Sequence, residues 1–384
     1  MIPYGKHCVD EEDIDAVVDV LRNEFLTQGS RVPAFENALC EYTGATYCTA
    51  VNSATSGLHV ACMALGVGSG DTVWTSANSF AASANCARYC SADVDFVDID
   101  VKTGNLCTEH LAQKLIQTAA QNTLPKVLIV VHFSGMSCDM QKISELCTRY
   151  DVRIIEDAAH ALGATYQSRP VGNCQYSDLA VMSFHPVKSI TSAEGGAILC
   201  NDAHIAKQCQ LFAKHGITKQ ASEFDAPVEG NWFYQQLALG FNYRLSDLHA
   251  ALGITQLSRL DQFIEKRRDI AERYFDAFEN MADCSTLMVP KKAFLNSSAW
   301  HLFVIQVPSD RRAGIFASLQ SNGIGVNVHY IPIYKHPYYR ASGFRDYVLD
   351  NVELYYSRAI SLPIYPDLTA ADQQRVIDLV KEFI

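Results

Sequence analysis

The chain is expected to fold as an α/β protein: a large domain on a mostly parallel sheet with helices on both faces, then a smaller C-terminal α/β unit. Three observations lead there. Between residues 46 and 200, short β-branched runs alternate with helical patterns. Several runs, such as "VLIVV" at 127–131, are apolar throughout, as strands covered on both faces must be. From about residue 246 the pattern changes to long helices and isolated strand-like runs.

In chain order, "TYCTAV" reads as a strand leading into the helix "SATSGLHVACMALGV", where Leu58, Ala61, Cys62 and Leu65 share one face. "DTVWTS" is a strand, "SFAASANCARYC" a helix and "DVDFVDID" a strand. A helix over 108–120 precedes the strand "KVLIVVHF"; the amphipathic helix "DMQKISELCTRY" precedes the strand "VRIIED". "LAVMSF" and "GGAILC" complete the sheet. Residues 246–282 read as long helices, "HLFVIQV" as a strand, 309–322 as a helix, "GVNVHYIPI" as a strand and 369–384 as a closing helix. The division is placed at 1–250 and 251–384.

Composition narrows the function. The formal net charge is −11 with no basic block, so nucleic acid is not an expected partner. The N-terminal "MIPYGKHCVDEED" lacks the apolar core of a secretory signal, and no apolar run approaches the ~18 residues of a membrane span. A cytoplasmic protein is expected. The 13 cysteines contain no C-x-x-C pair, which points to reduced thiols and no metal site.

In an open α/β sheet the ligand lies at the carboxyl ends of the strands. Three features fall there. In "VNSATSGLHVACMAL" a strand end, small hydroxyl residues and a helix start could cradle a phosphate on free N–H groups. In "VRIIEDAAHALGA", Asp157 follows an apolar strand directly. In "SFHPVKSITSAEGGAILC", Lys188 stands a few residues beyond a strand, near Ser183 and ahead of Gly195-Gly196, which permit a close backbone approach. Each alone has an ordinary explanation: an N-cap at Ser53, Thr55 or Ser56, an N-cap at Asp157 for a helix from Ala158, a solvated loop lysine. Together, in this order, they suit pyridoxal phosphate, with the phosphate on the helix, the lysine bonded to the cofactor and the carboxylate keeping the ring nitrogen protonated. Phe80 is placed to stack on the ring.

These segments resemble the DegT/DnrJ/EryC/StrS sugar aminotransferases, which are fold-type-I pyridoxal-phosphate enzymes. The likeness runs nearly end to end, through "NSATSGLHVA", "EDAAHALGA", "SFHPVKSITSAEGGAI", "GFNYRLSDLHAALGITQL" and "SLPIYPDLT". It implies that Lys188 carries the cofactor and shuttles the proton, that Asp157 holds the ring nitrogen and that His160 stands beside the ring oxygen. It further implies Ala54, Thr55 and Ser183 at the phosphate, Phe80 on the ring, and Asn242 reaching the cofactor of a second subunit in a homodimer with shared active sites.

"NEFLTQGSRVPAFE", "AKHGITK" and "VNVHYIPIYKHPYYR" are similar to the subgroup of the pseudaminic acid pathway. That implies amination, from L-glutamate, of C4 in a UDP-linked 4-keto-6-deoxy-N-acetylhexosamine. Thr27, Gln28, His215, His329 and Tyr330 are the candidate sugar-nucleotide contacts, His329 being equally readable as a satisfied strand histidine. The alternatives are another nucleotide keto-sugar, of perosamine or 4-amino-arabinose type, or a non-catalytic binding protein on the same fold. A nicotinamide enzyme is disfavoured because no G-x-G-x-x-G follows the first strand.

Overall fold

The computed structural model describes residues 1–281 and 286–384. Its centre is a seven-stranded sheet, built from β1 (Tyr47–Val51), β2 (Thr72–Ser76), β3 (Asp93–Val97), β4 (Val127–Val131), β5 (Arg153–Asp157), β6 (Leu179–Ser183) and β7 (Gly196–Cys200). The spatial order is β1-β7-β6-β5-β4-β2-β3. Four pairings are parallel and two, those of β7 with β6 and β1, are antiparallel. The mostly parallel sheet is therefore as expected, with one reversal. Residues 184–195 contain no helix to carry the chain back across the sheet, so β7 returns antiparallel beside β6. The reversal matters: it brings the start of β7 to the rim where β1, β5 and β6 end, with Gly196 paired to both Val51 and Ser183.

Helices cover both faces. On one side α3 (Ala54–Ala64), α4 (Ala82–Tyr89) and α7 (Ala203–Ala213) pack on Val51, Val73, Ile129, Ile155 and Val181. On the other, α2 (Arg31–Thr43), α8 (Asp247–Ser258) and α9 (Leu260–Phe278) meet Ala50, Ala180, Met182 and Leu199. Helices α5 (Thr108–Ala120) and α6 (Met140–Thr148) close on Trp74, Leu128 and Ile154. Alternate residues of one strand thus feed opposite cores, which is why no polar side chain interrupts β4, all five of whose residues are buried. The first helix, α1 (Glu11–Asn23), docks on α8 through Asp13, whose buried carboxylate meets Thr255, Gln256 and Arg259.

The C-terminal elements are β8 (Phe303–Gln306), α10 (Ser309–Ser321), α11 (Asp350–Arg358), β9 (Ala359–Leu362) and α12 (Ala370–Phe383). The helical stretch expected over 246–282 forms α8 and α9; residue 282 lies outside the described residues. One expectation fails. "GVNVHYIPI" is not a strand: within it only Asn327 pairs, with Ser361, and the true partner of β8 is β9. Beyond Asn327 the backbone leaves the sheet and Pro332 lacks a ladder N–H; the His329 ring stays against β9, bonded to Ser361, while the Tyr330 hydroxyl reaches His160 beyond β5 of the large sheet.

Candidate active site

A cavity of about 580 Å³ opens at the carboxyl ends of the strands. Ala54, Thr55, Phe80, Asp157, His160, Ser183, Lys188, His329 and Tyr330 all line it. The helix α3 begins at its edge. Ser53 is extended and caps the helix, its hydroxyl accepting the Ser56 N–H at 3.1 Å. Ala54 and Thr55, the first two helical residues, then have no intrahelical acceptor for their N–H groups. The expected N-cap is thus present at Ser53, and the N–H groups expected to cradle an anion lie on the two residues after it. Gly196 explains how close the cradle comes to the sheet: a Cβ there would lie 2.6 Å from Ala54 N and from the Ser53 carbonyl carbon. A phosphate fits this corner, where free N–H groups, the helix dipole and the Thr55 and Ser183 hydroxyls converge.

Asp157 ends β5 and is buried. No helix begins at Ala158; Oδ1 accepts the Ala159 N–H at 3.2 Å and Oδ2 the Ser83 hydroxyl at 2.6 Å. The neighbouring Glu156 points to the opposite face, where His132 Nε2 and the Ser177 hydroxyl satisfy it at 2.7 and 2.5 Å. Two adjacent carboxylates are tolerable because the strand pleat sends them apart.

Lys188 sits half-buried in the loop between β6 and β7. The loop is tied down: Lys188 N–H donates to the His185 carbonyl at 2.9 Å, and Phe184 exchanges backbone bonds with Ser192 and Gly195. Removal from bulk water lowers the lysine pKa to about 8, against the pull of Asp157 in the other direction. An amine of that pKa is partly unprotonated at neutral pH.

His160 is buried between the two parts of the chain. Its Nδ1 accepts the Ser134 N–H at 3.3 Å, which places the ring proton on Nε2, 3.1 Å from the Tyr330 hydroxyl. Burial, then Lys188 and His329, push its pKa well below the usual histidine range, so the ring is neutral. His329 is hydrogen-bonded at both nitrogens, to Ser361 Oγ at 2.7 Å and Asn327 Nδ2 at 3.3 Å, and burial lowers its pKa to about 3. It is a satisfied histidine that nonetheless lines the cavity. Phe80 stays 63% exposed, its ring uncovered and free to lie on a planar ligand.

Four expected residues are elsewhere. Thr27 and Gln28 lie exposed in the turn before α2, which the buried Asp247 holds by accepting the Gly29 and Arg31 N–H groups. His215 and Asn242 also lie off the cavity wall, Asn242 exposed and bridged to Lys214. Residues not foreseen are Ser79 and Ser83, Asn78, whose side chain accepts the Tyr330 N–H at 3.2 Å, and His301, whose ring centroid lies 4.3 Å from that of His160. The closeness of Ser79 and Ser83 in the chain, the first before α4 and the second in its first turn, was a visible signal. The contacts of Asn78 and His301 left none. Among the described residues no group of three or more His, Cys, Asp or Glu side chains could hold a metal ion.

Enzymes with this sheet order and this rim chemistry make up fold type I of the pyridoxal-phosphate proteins, and the chain has that architecture over its length. It belongs to the DegT/DnrJ/EryC1/StrS aminotransferase family, which it matches over residues 7–381. A UDP-4-amino-4,6-dideoxy-N-acetyl-beta-L-altrosamine transaminase of Campylobacter jejuni is 38% identical, over 98% of this chain and 96% of that one. The structure of Helicobacter pylori PseC, an aminotransferase of pseudaminic acid biosynthesis, superposes with a TM-score of 0.91 at 31% identity, covering 100% of this chain and 98% of that one. A putative sugar aminotransferase of Streptococcus pneumoniae, Spr1654 in its PMP form, gives 0.89 at 27% identity, covering 100% and 99%.

Proposed function

We propose that the protein transfers an amino group from L-glutamate to C4 of a UDP-linked 4-keto-6-deoxy-N-acetylhexosamine, the amination step of pseudaminic acid biosynthesis, with pyridoxal phosphate as cofactor. The observation that carries the chemistry is the convergence of Lys188, Asp157 and the α3 N-terminus on one cavity. The likeness to the Campylobacter transaminase and to PseC supports the choice of sugar.

Bound pyridoxal phosphate supplies a cationic ring that accepts the electrons of the C–H bond broken at the substrate carbon. The chain's own residues do the rest. The N–H groups of Ala54 and Thr55 and the hydroxyls of Thr55 and Ser183 bind the phosphate. Asp157 holds a proton on the ring nitrogen, and Phe80 covers the ring. His160, a neutral N–H donor, and Tyr330, which burial keeps protonated, orient the ring oxygen and the sugar. Lys188 Nζ would hold the cofactor and take up and return the proton at the substrate carbon, a task its pKa of about 8 suits near neutrality. His329 lines the sugar side of the cavity.

The same reading has the enzyme act in the cytoplasm as a homodimer. Asn242, exposed and off its own cavity, is available to a second subunit, and Thr27, Gln28 and His215 contact substrate there or not at all. A division of the chain into two units is part of this reading; a separate apolar core of Ile270, Phe275, Phe303, Ile360 and Val376 supports two units, while residue 250 itself falls inside α8, and α8 with the first turns of α9 packs on the large sheet.

The test is incubation of the holoenzyme with glutamate and a panel of UDP- and GDP-linked 4-keto-6-deoxy sugars, with the product identified by NMR. Amination at C4 of the UDP-linked N-acetyl sugar is expected. Turnover of a GDP-linked sugar instead would transfer the assignment to a perosamine-type reaction.

A further inference from the structure

We infer that Ser83, backed by Ser79, is a positioning residue that fixes the orientation of the Asp157 carboxylate. The inference rests on the placing of Asp157 at the ring nitrogen. Ser79 lies in the turn before α4 and Ser83 in its first helical turn, and both are buried, Ser83 completely. The Ser83 hydroxyl lies 2.6 Å from Asp157 Oδ2, the short distance of an O–H donating to a carboxylate.

Proton counting orders the chain. Ser83 has a single hydroxyl proton, and it is committed to Asp157. The 2.7 Å contact between the Ser79 and Ser83 oxygens therefore needs Ser79 as donor. Both O–H dipoles then point toward the carboxylate, and the Ala159 N–H serves the other oxygen at 3.2 Å. The carboxylate is thereby held in one orientation, the one in which it can meet a ring nitrogen on the cavity side.

Ser83 acts through Asp157 alone. It is absent from the cavity wall, whereas Ser79 and Asp157 are on it. Its backbone bonds are independent of the hydroxyl: its N–H donates to the Phe80 carbonyl at 3.3 Å, and its own carbonyl accepts from Cys86 Sγ at 3.3 Å. Removing Oγ leaves α4 in place.

The test binds pyridoxal phosphate labelled with 15N in the ring to the wild type and to Ser83→Ala, Ser83→Thr, Ser79→Ala and Asp157→Asn, and reads the ring-nitrogen chemical shift. In Ser83→Ala the signal should move toward the unprotonated position, and cofactor affinity should fall by about tenfold, the size expected for one hydrogen bond to a charged group. Ser83→Thr, which keeps the hydroxyl, should restore the wild-type shift. Ser79→Ala should move it less, in the same direction, and keeps the test decisive should Ser83→Ala not fold. A wild-type shift in the serine variants alongside a moved signal in Asp157→Asn overturns the inference and leaves Asp157 in place. An unmoved signal in Asp157→Asn overturns the placing of Asp157, and the inference with it.

Discussion

Lys188 shows how far the charge state of one residue depends on its surroundings. An ordinary lysine of pKa near 10.5 exposes about one free amine in 3,000 at pH 7, and one of pKa about 8 exposes about one in ten. The cofactor-free protein should therefore capture pyridoxal phosphate at a rate that rises with pH and levels off above about 8, followed by absorbance in a stopped-flow instrument. A midpoint near 10 would show that the amine is not desolvated. The sign for stability follows from the same shift. The folded pKa is depressed, so this group's contribution is complete above about 10.5 and is lost as pH falls through about 8. Ring proton placement at His160 is equally local: the Ser134 N–H fixes the tautomer, and the tautomer fixes which atom faces Tyr330.

Among the elements, β7 and α3 depend on each other. The strand can start beside the helix only because residue 196 has no side chain. Gly196→Ala would place a Cβ against backbone atoms at 2.6 Å, which cannot rotate away as a flexible side chain could. The helix N-terminus must then shift, and the expected result is a loss of cofactor affinity of about tenfold or more with the sheet intact. Gly68→Ala, where nothing lies within 4 Å, is the control and should bind normally in the same absorbance titration. The strands of the sheet were legible because burial on both faces leaves an unbroken apolar signature, as in "VLIVV". The failure at "GVNVHYIPI" has the converse cause. A segment that holds His329 on Ser361 of β9 and sends Tyr330 across to His160 also shows apolar alternation, and alternation cannot distinguish pairing from delivery.

Over the whole molecule, Arg267 ties the parts together. It is almost fully buried on α9 and, among the described residues, forms no ion pair with a carboxylate. Instead it donates to the carbonyls of Trp300 at 3.3 Å, Ile364 at 2.9 Å and Lys188 at 3.5 Å. The guanidinium fork thus joins two C-terminal segments to the loop that carries Lys188. Arg267→Ala leaves those carbonyls without a donor and should cost on the order of 3 kcal/mol, seen as a lower urea midpoint at unchanged slope. Arg267→Lys should not restore it, because one ammonium cannot span the same set. A loss under about 1 kcal/mol would mean the carbonyls find other partners.

By itself the sequence determined the order of strands and helices through residue 200 and the rim at which Lys188, Asp157 and the α3 N-terminus come together. Those follow from periodicity and from residues a few positions apart, which is the range over which a sequence pattern carries information. The direction of β7, the partner of Gly196, the neutral state of His160 and the hydroxyl chain behind Asp157 were decided only by the tertiary structure. Each rests on groups far apart in the chain: Ser83 and Asp157 are separated by 74 residues, His160 and Tyr330 by 170. Hydrogen bonds and desolvation act over a few ångströms, and only folding brings such groups that close.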